Sequence, residues 1–300
     1  PGGDGVAVVL DSQLGAFKDV AQNDVPKQLA FQVEEFQDLR QSLPIRATLD
    51  LSIGVLTIRS DEIMDLTPLH FAGRVNMSGL ALINDTVTPG GLTSLNYFGD
   101  QLIPDPYLEL GWILLTNGSN ISVQSWISHF PEGEDGFEFN LTLSEVMRTQ
   151  AIAISGTPGG DMHASKLRLE TGVFFDIATN PNLALISAGT MLTVIERPDT
   201  IHPIPLSAEI HYGRFYIMIT FSEFIDSTPS LLVNLNKIFG PDETGGHEIS
   251  LAGMEVVERD AYTLTIKLTE SVRIAAMSLS EGPAGDGKNT AAVLDILPDF

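Results

Sequence analysis

The chain repeats itself, and no other feature of the sequence restricts its possible folds so tightly. "PGGDGVAVVLDSQLGAFKDVAQN" at residues 1–23 aligns without a gap on residues 158–180, an offset of 157 that places Leu10 on Leu167, Gly15 on Gly172, Phe17 on Phe174, Asp19 on Asp176 and Asn23 on Asn180. "ATLDLSIGVLTIRSDEIMDLTP" from Ala47 aligns with "AEIHYGRFYIMITFSEFIDSTP" from Ala208 at an offset of 161, bringing Glu62, Asp65, Thr67 and Pro68 onto Glu223, Asp226, Thr228 and Pro229. "EFNLTLSEVMRTQAIAISGTPGGD" aligns with "TLTIKLTESVRIAAMSLSEGPAGD" at an offset of 125, pairing Glu145 with Glu270, Arg148 with Arg273 and Pro158 with Pro283. The fall from 161 to 125 puts 36 extra residues in the first copy, within about residues 76–130. Self-similarity at this scale predicts one structural unit per copy.

Within the copies the dominant local pattern is alternation. In "TLTIKLT" Leu264, Ile266 and Leu268 share one face and Thr263, Thr265 and Lys267 the other, the period-2 signature of a half-buried strand. "FEFNLTL" by the same rule turns Phe137, Phe139, Leu141 and Leu143 inward, and "RFYIMITF" turns Phe215, Ile217, Ile219 and Phe221 inward. Shorter apolar runs at Val6–Leu10, Leu167–Leu169, Leu192–Val194 and Ile249–Leu251 are separated by clusters of Gly, Pro, Asn and Asp that favour turns. Many short strands at close spacing predict an all-β protein of antiparallel β-sandwiches. After the best strand of each copy, Ser144 or Thr269 precedes a Glu, an Arg and small apolar residues, which predicts one short, hydroxyl-capped helical turn per repeat.

The length of 300 residues suits about two domains. A formal charge of −23 repels a nucleic-acid backbone, so the electrostatic footprint of a DNA or RNA binder is missing. Cysteine is absent, which removes disulfides, thiolate nucleophiles and thiolate metal sites. No run of about eighteen apolar residues offers a membrane span.

"ITFSEFID" at residues 219–226, the late "FxDxAxN" at residues 17–23 and 174–180, and the terminal apolar strand resemble bacterial-type immunoglobulin-like repeats. Such repeats occur in tandem in secreted adhesins, surface-layer and motility-associated proteins, and in algal cell-surface and mastigoneme-like filament proteins. The resemblance implies tandem immunoglobulin-like sandwiches, an extracellular or cell-surface location, a spacer, adhesive or filament-forming role, and no catalysis. On that plan residues 1–43 hold the C-terminal strands of a repeat, residues 44–200 one sandwich with its insertion, and residues 201–300 a second sandwich lacking its last strand. Two accounts fit: residues 1–36 finish a preceding domain of a longer tandem chain, or they complete the second sandwich of a neighbouring copy by donor-strand complementation. Either makes a linear array, of domains in one chain or, as the partner expected here, of copies of the chain in a linear or helical polymer. The alternatives are a secreted adhesin stalk and a carbohydrate-binding accessory module.

Candidate sites are of three kinds. Five N-x-S/T sequons, at Asn76, Asn84, Asn117, Asn120 and Asn140, are candidates for N-linked glycans, Asn140 being expected on the outward face of its strand. Asp19 with Asn23, and Asp176 with Asn180, carry oxygens suited to calcium, although the same residues make ordinary Asx-turns, the reading preferred here. The insertion concentrates Tyr97, Tyr107, Trp112 and Trp126, aromatics of the kind that anchor an interface with another subunit or a sugar, or that simply extend the core. Glu62 with Asp65 and Glu223 with Asp226 read equally as further calcium oxygens or as solvated strand-end charges. No catalytic motif emerges: His70, His129, His163, His202, His211 and His247 are scattered, and no H-E-x-x-H, G-x-S-x-G or P-loop is present. No cofactor is expected.

Overall fold

The structure is a computed structural model that describes residues 6–66, 75–84, 112–115, 136–241, 248–280 and 294–296. It is mostly β, with several antiparallel sheets and two helices among the described residues. The strands are β1 (Val9–Ser12), β2 (Gln28–Gln32), β3 (Pro44–Asp50), β4 (Val55–Met64), β5 (Leu80–Ile83), β6 (Trp112–Leu114), β7 (Gly136–Thr142), β8 (Lys166–Leu169), β9 (Leu192–Thr193) and β10 (Ile195–Arg197). They continue with β11 (Pro205–His211), β12 (Tyr216–Ile225), β13 (Ile238–Pro241), β14 (Glu248–Ser250), β15 (Glu255–Val256), β16 (Ala261–Lys267) and β17 (Asp295–Ile296). Helix α1 spans Glu145–Ala153 and α2 spans Glu270–Ser278.

The sequence repeat is a structural repeat, residue for residue. β3 and β11, and β4 and β12, are related end to end by 161; β7 and β16, and α1 and α2, by 125; β1 and β8 by 157. Pairing register follows the same offsets, since Ala47 faces Ile58 where Ala208 faces Ile219.

The chain divides into two compact units. The first contains β1 to β10, in a sheet of order β10-β3-β4-β7, a second of order β6-β5-β8-β9, and the separate hairpin β1-β2. Pairing of β10 with β3 is parallel, whereas β3–β4, β4–β7, β5–β8 and β8–β9 are antiparallel. Leu49, Leu56, Ile58, Phe139 and Leu141 from one sheet and Leu80, Leu82, Leu167 and Leu169 from the other are buried, and Phe174 meets Phe139 edge to face at 5.8 Å between centroids. Each such side chain contributes roughly 1.5–3 kcal/mol, against about 0–1 kcal/mol for an exposed ion pair, so burial rather than surface charge holds the unit together.

The second unit contains α1, α2 and β11 to β17, in sheets of order β11-β12-β16-β15 and β14-β13-β17. One core joins them: Ile217, Ile219, Phe221, Leu264 and Ile266 pack with Ile238 and Leu251. Both helices begin as the sequence predicts. The Ser144 hydroxyl accepts from the Met147 amide at 3.3 Å and the Thr269 hydroxyl from the Val272 amide at 3.4 Å, and the turns they open run to nine residues each. Past α1 the chain folds back at Gly160, where a Cβ would lie 2.2 Å from the Ser155 carbonyl oxygen and 2.5 Å from that of Ile152.

Two expected core positions are corrected. Phe137 is 38% exposed because it lies beside the register shift between Arg59 and Met64, where β4 leaves the regular ladder. Phe215 is 42% exposed because it belongs to the turn before β12, at φ 63°, where its repeat counterpart is Gly54 at φ 64°.

Candidate functional site

The residues of greatest interest lie where one copy of the repeat is satisfied and its counterpart is not. The first such place is the N-terminal hairpin. Its loop is closed by Asp19, whose carboxylate accepts from the Asn23 amide and the Asn23 side-chain Nδ2, each at 2.8 Å. Asp176 does the same with Asn180, at 2.7 and 2.9 Å. Both loops have a left-handed glycine, Gly15 or Gly172, and a left-handed residue before the Asn, Gln22 or Thr179. These carboxylates therefore act as turn-forming acceptors, and the Asn23 bonds hold the Asp19 carboxyl below its ordinary range. Among the described residues no group of three or more His, Asp or Glu gathers as a metal site.

Identical loops face different surroundings. Leu167 and Phe174 are fully buried, whereas their counterparts Leu10 and Phe17 are 54% and 63% exposed. Val33 and Phe31 are exposed too, although Val194, the counterpart of Val33 at offset 161, is buried in the first unit. The hairpin is held by its own bonds, including Ala30 N–H to Asp11 at 2.7 Å and Val8 N–H to Glu35 at 2.5 Å. It is a finished piece of local structure presenting an apolar face to solvent.

The second unit differs from the first along the edge of its larger sheet. In the first unit β10 lies parallel on β3, and β9 lies on β8. In the second, β11 is an edge strand with most of its residues exposed, and among the described residues nothing lies on β17 as β9 lies on β8. By the offset of 161, residues 31–32 and 34–36 correspond to β9 and β10.

The third place is an arginine cluster in the second unit. Arg148, 7% exposed in its side chain, donates to Glu145 through Nε at 2.7 Å and Nη2 at 2.6 Å, to Asp199 through Nη1, and to Glu223 Oε2 through Nη2 at 3.2 Å. Glu145 Oε1 also accepts the Phe224 amide at 3.1 Å, which ties α1 to β12. Burial opposes the arginine's charge, but the bonds to Glu145 and Asp199 outweigh it and raise the pKa above the ordinary value. Burial likewise raises the Glu223 carboxyl, against the pull of Arg148. Glu223 is thus an ion-pair partner and not a solvated strand-end charge, one of the two readings the sequence left open. The sequence signal was available: Glu145, Arg148 and Glu223 all recur, and Asp199 recurs as Asp38 at the same offset of 161.

The counterparts of this cluster are apart. Arg273 makes the same fork to Glu270, 2.7 Å through both Nε and Nη2, but its Nη1 is spent on Met277 Sδ at 3.0 Å and its guanidinium lies 5.0 Å from the Phe215 ring centroid. In the first unit Glu62 takes Arg40 Nε at 2.9 Å on Oε1, while its buried Oε2 has no hydrogen-bond partner among the described residues. Burial raises the Glu62 carboxyl, and nearby Asp61, Asp38 and Asp176 add to the effect against Arg40.

Of the sequons, Asn76 is exposed and caps a short 3-10 turn, accepting from Ser78 N–H at 3.2 Å and Ser78 Oγ at 2.6 Å. Asn84 is buried, and so is Asn140, contrary to the outward face expected for it, because it pairs across the sheet with Thr57, whose Oγ1 donates to Asn140 Oδ1 at 2.7 Å. Asn117, Asn120, Tyr97, Tyr107 and Trp126 lie outside the described residues, and Trp112 is described only as the first residue of β6. No described helix is long and apolar enough to cross a membrane. No protein-family model, curated protein or solved structure matches the chain.

Proposed function

We propose that the chain is a structural subunit of an extracellular filament or surface fibre, built from immunoglobulin-like β-sandwiches that join head to tail. It acts through assembly and not through catalysis. Its N-terminal hairpin serves as a donor that completes the second unit of a neighbouring copy. The observation that carries this reading is the contrast between two loops of one geometry, one with Leu167 and Phe174 buried, the other with Leu10 and Phe17 bare. In the donated arrangement Phe31 and Val33 take the places of Leu192 and Val194, and residues 34–36 lie parallel on β11 with Glu35 opposite Ile210.

Full burial of Leu10, Phe17 and Val33 is worth about 1.5–3 kcal/mol each, comparable in sum with the roughly 4–15 kcal/mol that association costs. Backbone pairing along β11 therefore decides whether the joint is tight. The charge of −23 per copy opposes contact until salt screens it, the Debye length being about 8 Å at physiological ionic strength. Glycans on exposed sequons such as Asn76 fit the same extracellular setting.

The test is negative-stain imaging with sedimentation velocity at physiological salt, for the wild-type chain and Phe31→Asp. Uniform fibres that the substitution abolishes are expected. Single rods of one copy's length, unchanged by Phe31→Asp, would leave the adhesin-stalk alternative standing instead.

A further inference from the structure

We infer that Arg273 of one copy docks on Asp38 and Glu62 of a second copy, rebuilding between chains the cluster that Arg148 makes with Asp199 and Glu223. This inference rests on the head-to-tail reading for the order of the copies, but on different atoms from the donated strand.

Both halves of the joint are already shaped. On the arginine side, Glu270 grips Arg273 in the same two-bond fork that Glu145 makes with Arg148, so the guanidinium is aimed before any partner arrives. On the carboxylate side, Asp38 Oδ1 accepts the Arg40 amide at 2.9 Å as Asp199 Oδ1 accepts the Ile201 amide at 2.9 Å. In the Arg148 cluster the other oxygen, Asp199 Oδ2, takes the guanidinium. Asp38 Oδ2 is the matching oxygen, left for an incoming one.

Glu62 gives the sharper sign. Glu223 Oε2 receives Arg148 Nη2 at 3.2 Å, and Glu62 Oε2, its counterpart, is buried with no hydrogen-bond partner among the described residues. A buried carboxylate oxygen without a donor is costly, and Arg40 reaches only Oε1. Among this chain's own segments, the one with the right guanidinium, fork and helix is α2. Its present contacts, a thioether and a ring face, are weak substitutes for two carboxylates. Around Glu62 the facing charges are Arg40, Asp61, Asp38 and Asp176, an acidic surplus that a second copy's Arg273 offsets.

The experiment is a charge-swap complementation read by sedimentation velocity on full-length chains. Arg273→Glu alone places a carboxylate against Glu62 and is expected to weaken self-assembly by ~100-fold; Glu62→Arg alone places two guanidinium groups together and is expected to do the same. Mixed in equal amounts, each variant meets the complementary end of the other, and assembly returns as an alternating copolymer. Single variants that assemble as the wild type does, or a mixture that fails to recover, overturn the joint. Phe31→Asp is run alongside. Loss of assembly in Phe31→Asp with full assembly in Arg273→Glu would retain the donated strand and remove the arginine joint, and the reverse pattern would do the opposite. A wild-type chain that stays monomeric from micromolar to millimolar concentration refutes both.

Discussion

Arg148→Met is the substitution that most directly measures what the arginine cluster does for the second unit. The side chain is 7% exposed and its removal leaves Glu145, Asp199 and Glu223, each partly buried, with no cation among them. Breaking a buried ion pair by deleting one partner costs about 3–5 kcal/mol. Water still reaches the three carboxylates at 14–21% exposure, so the lower end of that range, ~3 kcal/mol, is expected. Arg273→Met makes the same chemical change at the repeat-equivalent position, where Glu270 is 55% exposed and can be rehydrated; its effect on the monomer is expected to fall within measurement error.

The cost must also depend on pH. Glu223 already has a carboxyl raised above the ordinary 4.5, so its contribution to stability is present below that value and is lost as pH rises through the higher folded value. Without Arg148 the carboxyl rises further, and the penalty of the variant is larger at pH ~7 than at pH ~4. Urea unfolding followed by far-ultraviolet circular dichroism gives the totals, and hydrogen exchange of peptides from α1 and β12 locates the loss. Equal costs for the two arginines, or a penalty that does not shrink on acidification, would refute the argument.

Gly160→Ala forces a methyl group against two carbonyl oxygens and is expected to destabilise the second unit by about 2 kcal/mol or more, seen as lower protection of residues 150–160 in hydrogen exchange. Asp176→Ala removes both acceptors of the Asn180 loop in a buried setting and is expected to cost ~2 kcal/mol in the first unit, whereas Asp19→Ala loosens only residues 15–25 and leaves the thermal transition of the units unchanged. Glu62→Gln removes a charge that burial disfavours. Above pH ~4.5 wild-type stability is expected to fall as pH rises, and to fall less steeply in this variant, as denaturation midpoints at several pH values will show.

Much of the fold was legible because the repeat and the period-2 pattern reinforce each other. Leu264, Ile266 and Leu268 are buried as their alternation requires, and Ser144 and Thr269 cap the helices as their chemistry requires. The misses have a common cause. Phe137 and Phe215 extend a good alternating run by one step, past the point where the ladder shifts or the turn begins, and periodicity does not announce its own end. Glu223 illustrates a different limit: the sequence shows that a glutamate recurs, but only the fold shows that α1 brings Arg148 to it. The turns at Asp19 and Asp176 were legible because that motif is local, closed within five residues by Asn23 or Asn180.

Among the described residues β17 pairs with Ile238 and Phe239 of β13, as the matching strand β8 pairs with β5. By repeat alignment Leu294 and Ile296 answer to Leu10 and Ser12, so β1 and β17 are rivals for one berth. On the head-to-tail reading, β17 is then a stopper: a resident that shields the groove until the incoming β1 evicts it. Such a subunit would remain dispersed while dilute and polymerise only after a lag, its speed set by how readily β17 lets go of β13.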